Sequence, residues 1–238
     1  MVVCGRCSSS LDVARPLAEN GLLTPWDSVL AVSQWSGRGQ LRRPWDSPPG
    51  NVYGALVLPA VPQAFDTLTP LILGRLACEF LAGLGVEACL KWPNDVICGG
   101  LKVCGMLVEE RKGVTLAGIG VNLHAAPDPS FLRNGHAVPA GTLAGLGVAS
   151  TPVSLWSALV DFVKTGYLDE LSQGSPGQAA ARTSSRLCWL GQEVLVRDGS
   201  EPPWTGRILG LAPDGALRVK PADGAGERLL TSGSIWRA

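Results

Sequence analysis

Short blocks of apolar residues, each bounded by glycine, proline or polar residues, recur along most of the chain. Blocks too short for a helix predict strands. The continuous apolar run at 114–123 is typical of a central strand that is buried on both faces. Gly99 and Gly100 lie between two such blocks and indicate a β-hairpin. The predicted strands cover residues 29–32, 52–58, 88–91, 96–98, 102–109 and 114–123.

Three longer segments have helical character: residues 12–20, 69–84 and 154–171. Gly21 ends the first, and Pro70 suits the first turn of the second. The second helix is apolar on nearly all sides, so we expect it to lie against a sheet. Residues 33–50 are rich in glycine, arginine and proline and predict a long loop. Long loops inside compact domains are usually functional or disordered.

The end of the chain has a different organisation. Small residues dominate 174–183, which predicts a boundary between a domain at 1–183 and a second at 184–238. The second contains four or five short apolar runs separated by turn signals, such as Asp214-Gly215. This spacing is typical of a small closed β-barrel.

The composition narrows the class of protein. Of 238 residues, 46% are hydrophobic and 17% are charged, which indicates a globular fold. Lysine plus arginine and aspartate plus glutamate are equal at 20 each, so the broad basic field that favours nucleic-acid binding is lacking. The N-terminus does not resemble a signal peptide, and no run approaches the ~20 apolar residues that span a bilayer. We expect a cytoplasmic protein without a nucleic-acid or membrane partner.

Cysteine usage points to the same compartment. The chain has seven cysteines, an odd number at irregular spacings, so we expect no disulfide framework. Cys4 and Cys7 form a CxxC pair, which leaves open a redox pair or half of a zinc site. No second CxxC or HxxxH follows, so ordinary thiols are the favoured interpretation.

The predicted loop carries the first candidate site. Gly37 and Gly39 let the backbone come close to a ligand, and arginines beside them can neutralise phosphate oxygens. Gln34 offers a donor and an acceptor to a neutral polar group. The alternative is a solvated basic loop. The arginines of this loop are Arg38, Arg42 and Arg43.

Two further segments carry polar residues among apolar ones. Lys91-Trp-Pro-Asn-Asp95 forms a turn that precedes Lys102 and Gly105 on an apolar strand. A lysine facing the core requires a partner or an anion, although Lys102 could equally face outward. The third segment, Gly-Ile-Gly-Val-Asn-Leu at 118–123, could bring Asn122 to a phosphate or could be a glycine-rich strand with a satisfied asparagine.

Together these motifs resemble the biotin–protein ligase family, over nearly the whole chain. The resemblance rests on Ser9-Ser10 before DVA, the Gln34…GRG…Trp45 loop, KWPNDV at 91–96, LKVCGMLVEE at 101–110 and GIGVNL at 118–123. It implies an α+β fold, with a mixed β-sheet backed by helices as in class II aminoacyl-tRNA synthetases and a C-terminal SH3-like barrel. Because the chain begins almost at the catalytic domain, we expect a ligase without the N-terminal DNA-binding domain of longer members.

The resemblance also implies an activity. ATP would activate biotin as biotinyl-5'-AMP, and biotin would pass to a lysine of a biotin carboxyl carrier protein or domain. ATP and Mg²⁺ would be the cofactors and biotin the substrate. It identifies no metal ligands and leaves a homodimer open.

Family likeness assigns roles to individual residues. Lys102 would be the main transition-state stabiliser, assisted by Arg38, and Asp95 would order its turn or position the acceptor lysine. Biotin would be held by Ser9, Ser10, Leu11, Gln34, Gly37, Arg38, Gly39, Gln40, Lys102 and Gly105. ATP and the adenylate would be held by Arg38, Arg43, Trp45, Asn94, Lys102 and Asn122.

Two positions depart from the family pattern. Leu11 replaces an asparagine, and Gln40 replaces the second arginine of G-R-G-R. A neutral amide cannot supply that charge, so we expect weaker retention of the adenylate unless Arg42 compensates. Three rivals remain: a lipoate or octanoate transferase, a catalytically impaired biotin-binding protein, and a general ATP-binding domain with an interaction barrel.

Overall fold

The structure, a computed structural model, describes residues 1–40, 43–127, 138–199 and 202–237. The first sheet has seven strands: β1 (Val2–Cys7), β2 (Ser28–Gln34), β3 (Val52–Leu58), β4 (Ala88–Lys91), β5 (Asp95–Cys98), β6 (Leu101–Arg111) and β7 (Val114–Val121). Their order in the sheet is β1-β2-β3-β7-β6-β5-β4. β1 runs parallel to β2, and each of the other neighbouring pairs is antiparallel. The predicted mixed sheet is therefore confirmed.

Helices cover both faces of this sheet. The first helix packs on β2, β3 and β7, whereas the second and third pack on β3–β6 and on each other. Short 3-10 helices lie at Gln63–Leu68 and Ala144–Leu146. The α-helices are α1 (Ser10–Glu19), α2 (Thr69–Gly83), α3 (Pro152–Gln173) and α4 (Pro176–Ser184). None of the helices in the described ranges is long and apolar enough to cross a membrane.

The position of β3 in the sheet explains why its sequence does not alternate between apolar and polar residues. Ala55 and Val57 belong to the apolar cluster beneath α1, whereas Leu56 and Leu58 belong to the larger cluster beneath α2 and α3. Side chains alternate between the faces of a strand, so a strand covered on both faces is apolar at every position. The strand predicted at 52–58 has the same bounds in the structure.

The C-terminal residues form five strands: β8 (Glu193–Arg197), β9 (Trp204–Leu211), β10 (Leu217–Pro221), β11 (Arg228–Leu230) and β12 (Ser234–Arg237). They pair as an antiparallel sheet with the order β11-β10-β9-β8-β12. Gly215 adopts φ 82° in the turn between β9 and β10, which confirms the hairpin predicted at Asp214-Gly215. Barrel closure and the division at 183/184 stay predictions.

The local sequence predicted some helices and strands less well than those of the sheet interior. The small-residue stretch at 174–183 contains most of helix α4, and Ser175 caps that helix by forming a capping box with Gln178. β1 was not predicted, because it is an edge strand whose Val2 and Val3 are 41% and 54% exposed. α1 begins earlier than expected, since Ser9 caps its first turn.

The expectation about disulfides requires a correction. Cys89 and Cys188 are joined by a disulfide across 99 residues of sequence. Backbone hydrogen bonds of Leu90 to Arg186 (2.7 Å) and of Cys188 to Leu90 (2.9 Å) bring the two segments together. This proximity arises from tertiary structure, so the irregular cysteine spacing could not reveal it.

The CxxC pair remains a pair of free thiols. The Sγ atoms of Cys4 and Cys7 are 3.9 Å apart. Burial raises the pKa of the Cys7 thiol to about 12, with Cys4 adding to the effect. Across the described residues, no group of three or more histidine, cysteine or acidic residues could hold a metal ion. These observations give no support to a zinc site at Cys4 and Cys7.

Candidate active site

A cavity of about 200 Å³ lies between the start of α1, the loop after β2, the β4–β5 turn and strands β6 and β7. A second cavity, of about 620 Å³, shares part of its lining. Gly37 and Asn122 line only the second cavity. The other residues predicted to bind biotin or ATP line the first: Ser9, Ser10, Leu11, Gln34, Arg38, Gly39, Gln40, Arg43, Trp45, Asn94, Lys102 and Gly105.

Two glycines and one indole form the floor of the first cavity. Gly105 on β6 is paired with Gly120 on β7, and Trp45 lies over both. A Cβ atom added at Gly105 would approach the Trp45 ring to 2.8 Å, and one at Gly120 would approach it to 2.6 Å. The glycines are therefore required for the indole to reach the sheet. Trp45 Nε1 is buried without a hydrogen-bond partner in the described part of the chain.

We expect Gly120→Ala to displace the Trp45 indole and weaken ligand binding about tenfold or more, because the added methyl group would overlap the ring. Calorimetric titration with biotin and with ATP measures the effect. Gly177→Ala is the matched control, since a Cβ at Gly177 meets nothing within 4 Å. Unchanged affinities in Gly120→Ala would show that the indole position does not matter for binding.

The loop after β2 folds back on itself. The Gly39 amide donates to the Arg43 carbonyl (2.7 Å), and the Trp45 amide donates to the Gly37 carbonyl (2.8 Å). A Cβ at Gly37 would lie 2.6 Å from Ser47 Oγ. The Gly39 amide and the space at Gly37 therefore serve the loop itself, and the ligand contacts predicted for the two glycines stay predictions. Arg42, predicted to compensate for Gln40, lies outside the described residues.

Arg38 is anchored on α1. Its guanidinium lies 2.8 Å from the carboxylate of Asp12, which also accepts a 2.7 Å hydrogen bond from Ser8 Oγ. Arg38 holds the pKa of Asp12 below its ordinary value, against the opposing effect of burial. Sequence reasoning missed Asp12, whose only local signal was its place in the first turn of a helix. The loop and α1 are thereby joined at the cavity wall.

The polar groups at the start of α1 are already paired. Gln34 Oε1 accepts from the Ser10 amide (2.7 Å), and Gln34 Nε2 donates to Ser47 Oγ (2.9 Å). Ser9 Oγ accepts from the Leu11 amide at 3.3 Å. A ligand with a neutral polar head would therefore share or replace these bonds.

Side-chain bonds fix the β4–β5 turn. Asn94 Nδ2 donates to the Met106 carbonyl (2.5 Å), and the Met106 amide donates back to the Asn94 carbonyl (3.0 Å). Trp92 Nε1 donates to the carbonyl of Gly215 in the β9–β10 turn (3.2 Å), and the Trp92–Pro93 peptide is cis. The turn is therefore held both by β6 and by the C-terminal sheet.

Asp95 lies between two lysines. Its Oδ1 is 2.6 Å from Lys102 Nζ, and its Oδ2 is 3.4 Å from Lys91 Nζ. Burial alone would raise the pKa of Asp95, but the two ammonium groups hold it below its ordinary value. Burial lowers the pKa of Lys91, and Asp95 opposes that effect. Lys102 thus faces the cavity and is paired, which resolves the orientation that the sequence left open.

The C-terminal sheet also reaches the cavity. Gly233 and Ser234, at the start of β12, line it. The sequence gave no signal for this contact, because the two residues lie far along the chain from the motifs that form the rest of the wall. Chemically, the cavity combines a cationic side with an apolar floor, which suits an anion linked to a less polar group.

Comparison with known proteins identifies the family. The model of the biotin/lipoate A/B protein ligase family matches residues 22–125, and that of the biotin protein ligase C-terminal domain matches residues 189–235. A biotin–[acetyl-CoA-carboxylase] ligase of Paracoccus denitrificans is 30% identical over 220 residues, covering 87% of this chain and 89% of the relative. The bifunctional ligase/repressor BirA of Bacillus subtilis is 33% identical, covering 91% of this chain and 68% of the relative.

Solved structures agree. A biotin protein ligase from Aquifex aeolicus in complex with biotin and ATP superposes with a TM-score of 0.82 at 25% identity, covering 100% of this chain and 99% of the other. A biotin protein ligase from Leishmania major, at 22% identity and a TM-score of 0.68, shares the fold. These likenesses, which extend over both sheets, establish that the chain belongs to the biotin–protein ligase family.

Proposed function

We propose that this protein is an ATP-dependent biotin–protein ligase. One observation carries the proposal: in a chain of this family, Lys102 and Arg38 meet at the wall of one glycine-floored cavity. Each is paired there with a protein carboxylate, Asp95 or Asp12. In such a site, a cation can leave the carboxylate of the protein and bind an anionic group of the substrate instead. Biotin carries a carboxylate and ATP carries phosphates.

The reaction would proceed in two steps. A biotin carboxylate oxygen attacks the α-phosphorus of ATP, pyrophosphate leaves with the bond electrons, and biotinyl-5'-AMP results. A neutral lysine amine of the acceptor then attacks the biotinyl carbonyl carbon, AMP leaves, and the amine loses a proton. Two anions must meet in the first step, so Lys102 and Arg38 would contribute chiefly by neutralising charge.

We assign the two substrates to opposite ends of the site. Ser9, Ser10 and Gln34, at the buried start of α1, would meet the ureido head of biotin. Leu11, Gly37, Gly39, Gln40 and Gly105 would surround the rest of biotin. The unpartnered Trp45 Nε1 supports placing a polar ligand group beside it. Arg43, Trp45, Asn94 and Asn122 would lie along the nucleotide.

Mg²⁺ would enter with ATP. Asp95 is the one carboxylate that lines the first cavity among the described residues, and both of its oxygens face ammonium groups. Mg²⁺ commonly binds through substrate phosphates and water. The protein residues do not fit a pre-formed Mg²⁺ site, so we assign the ion to the MgATP substrate.

The partner would be a biotin carboxyl carrier protein or domain, whose lysine must reach the mixed anhydride. We propose that the protein acts in the cytoplasm, where ATP is abundant, and that it binds no nucleic acid, as its balanced charge suggests. The exposed edge of β1 would be available to a homodimer.

ATP–pyrophosphate exchange tests the function directly. We expect exchange that requires biotin and fails with lipoate or octanoate. Exchange with lipoate or octanoate instead would favour the related transferases. Biotin binding without exchange would identify a catalytically impaired relative, with Leu11 and Gln40 as the residues to restore. Exchange independent of any carboxylic acid would favour a general ATP-binding domain.

The departure at Gln40 leads to a separate prediction. Gln40→Arg should slow dissociation of the adenylate by about tenfold, because a guanidinium beside Gly39 would add a charge-assisted bond to the phosphate. Adenylate release is followed by rapid filtration, and labelling of non-cognate lysines should fall in parallel. If neither quantity changes, the neutral residue at this position has no effect on retention.

A further inference from the structure

Two lysines, Lys91 and Lys102, lie beside the single carboxylate of Asp95. One ammonium group would be enough to neutralise that carboxylate. The side chains of Lys91, Asp95 and Lys102 are 13%, 15% and 27% exposed, respectively, and all three residues line the cavity. Lys102 holds one carboxylate oxygen at 2.6 Å, and Lys91 lies 3.4 Å from the other. The family likeness assigned a role to Lys102 but none to Lys91.

Adenylation creates a problem for this group. Lys102 would have to turn from Asp95 toward the biotin carboxylate and the α-phosphate. A carboxylate left unpaired at this burial is strongly unfavourable. Without a second counter-ion, Asp95 would therefore hold Lys102 back from the substrate.

We propose that Lys91 is a positioning residue that remains on Asp95 as its counter-ion when Lys102 moves to the substrate. This inference rests on the proposed adenylation. Lys91 never needs to touch biotin or ATP in this role. Because Lys91 stays beside Asp95, Lys102 can move from Asp95 to a substrate anion without leaving the Asp95 carboxylate unpaired.

The backbone supports a fixed pair and an exchangeable one. Lys91 and Asp95 are cross-strand partners at the two ends of one tight turn. Asn94 and Trp92 hold that turn through bonds to Met106 and Gly215. The 3.4 Å separation leaves room for the Lys91–Asp95 pair to tighten after Lys102 leaves.

Lys102 is less buried than Lys91. It lies on β6, outside the turn, and is twice as exposed as Lys91. Its ammonium group also lies 5.0 Å from the centre of the Trp45 ring, so a second contact for the cation is present in the cavity. The more exposed lysine is therefore the one placed to reach the substrate.

A double-mutant cycle tests the proposal in the adenylation half-reaction, which does not involve the acceptor lysine. Lys91→Met should lower kcat of biotin-dependent exchange about tenfold or more, with little change in KM for ATP. In an Asp95→Asn background the same substitution should change kcat by less than about twofold, because no carboxylate remains to be neutralised. Lys91→Arg should keep most of the wild-type rate. Lys164→Met, on the exposed face of α3, is the matched control and should not alter exchange.

The two proteins in the Asp95→Asn background decide the matter even if Lys91→Met alone does not fold, since neither of them contains an Asp95 carboxylate that could be left without a counter-ion. A tenfold loss in that background would mean that Lys91 contacts substrate directly, and would overturn the proposal. So would a loss confined to KM in Lys91→Met. Wild-type protein without biotin-dependent exchange would instead reject the proposed function itself.

Discussion

Lys102→Ala should lose biotin-dependent ATP–pyrophosphate exchange by about a hundredfold to a thousandfold, the range seen when one pre-positioned electrostatic group is removed from an active site. The reason is geometric as well as electrostatic. Lys102 Nζ lies in the cavity beside Asp95 and above the glycine floor. From there it can approach both reacting anions, and no neutral side chain can replace its charge.

The kinetic pattern separates this role from simple binding. We expect kcat and kcat/KM to fall together, since the interaction is strongest as the two anions meet. Lys164→Ala, which removes an exposed lysine from α3, should behave as wild type. A Lys102→Ala enzyme with normal kcat and a raised KM would instead show that the lysine only binds substrate.

The sequence predicted most of the sheet because most of its strands are apolar runs. β3 and β4 have the predicted bounds, since an apolar run bounded by turn residues leaves few alternatives. β1 and α4 were missed for opposite reasons. β1 lies at the sheet edge and is half exposed, whereas α4 is short and built from small residues whose helical state depends on the Ser175 cap.

The location of the site was more predictable than its pairing. Motifs that lie far apart in the chain meet at one cavity, as the family resemblance implied. Their partners could not be predicted, because an ion pair such as Arg38–Asp12 depends on how a loop crosses a helix. Likewise Gly233 and Ser234 reach the wall only because the C-terminal sheet packs beside the β4–β5 turn. A sequence pattern indicates which face of a helix or strand is buried. Ion pairs between elements depend instead on distances that the tertiary structure sets.

The ion pairs at the cavity wall balance its two catalytic candidates within the protein itself. Arg38 and Lys102 are the two cations assigned to the reacting anions, and each is held by a carboxylate of the protein itself. Asp12 and Asp95 therefore neutralise the same cations that the substrate anions would contact. Such internal pairing satisfies these partly buried cations within the protein, at the cost of competition with the incoming anions.

The second large effect concerns stability. Cys89→Ser should lower the free energy of unfolding of the oxidised protein by up to about 4–5 kcal/mol, because the disulfide closes a loop of 99 residues. For a chain of this size that corresponds to a fall of about 10 °C or more in Tm. Thermal unfolding followed by circular dichroism, with and without a reducing dithiol, measures both quantities.

Reduction provides the internal control for this experiment. A dithiol that opens the disulfide should bring wild type down to the Tm of Cys89→Ser, whereas the variant itself should not respond. Cys4→Ser, which removes a free and partly exposed thiol, should keep the full response. A wild-type Tm that is the same in both conditions would mean that the bond does not constrain the chain.

Adenylation should change far less than stability, because the hydrogen bonds of Leu90 and Trp92 still hold the turn against the C-terminal residues after reduction. The disulfide would then reinforce an interface that the backbone has already formed, and the proposed adenylation would still depend on Lys102 and Arg38.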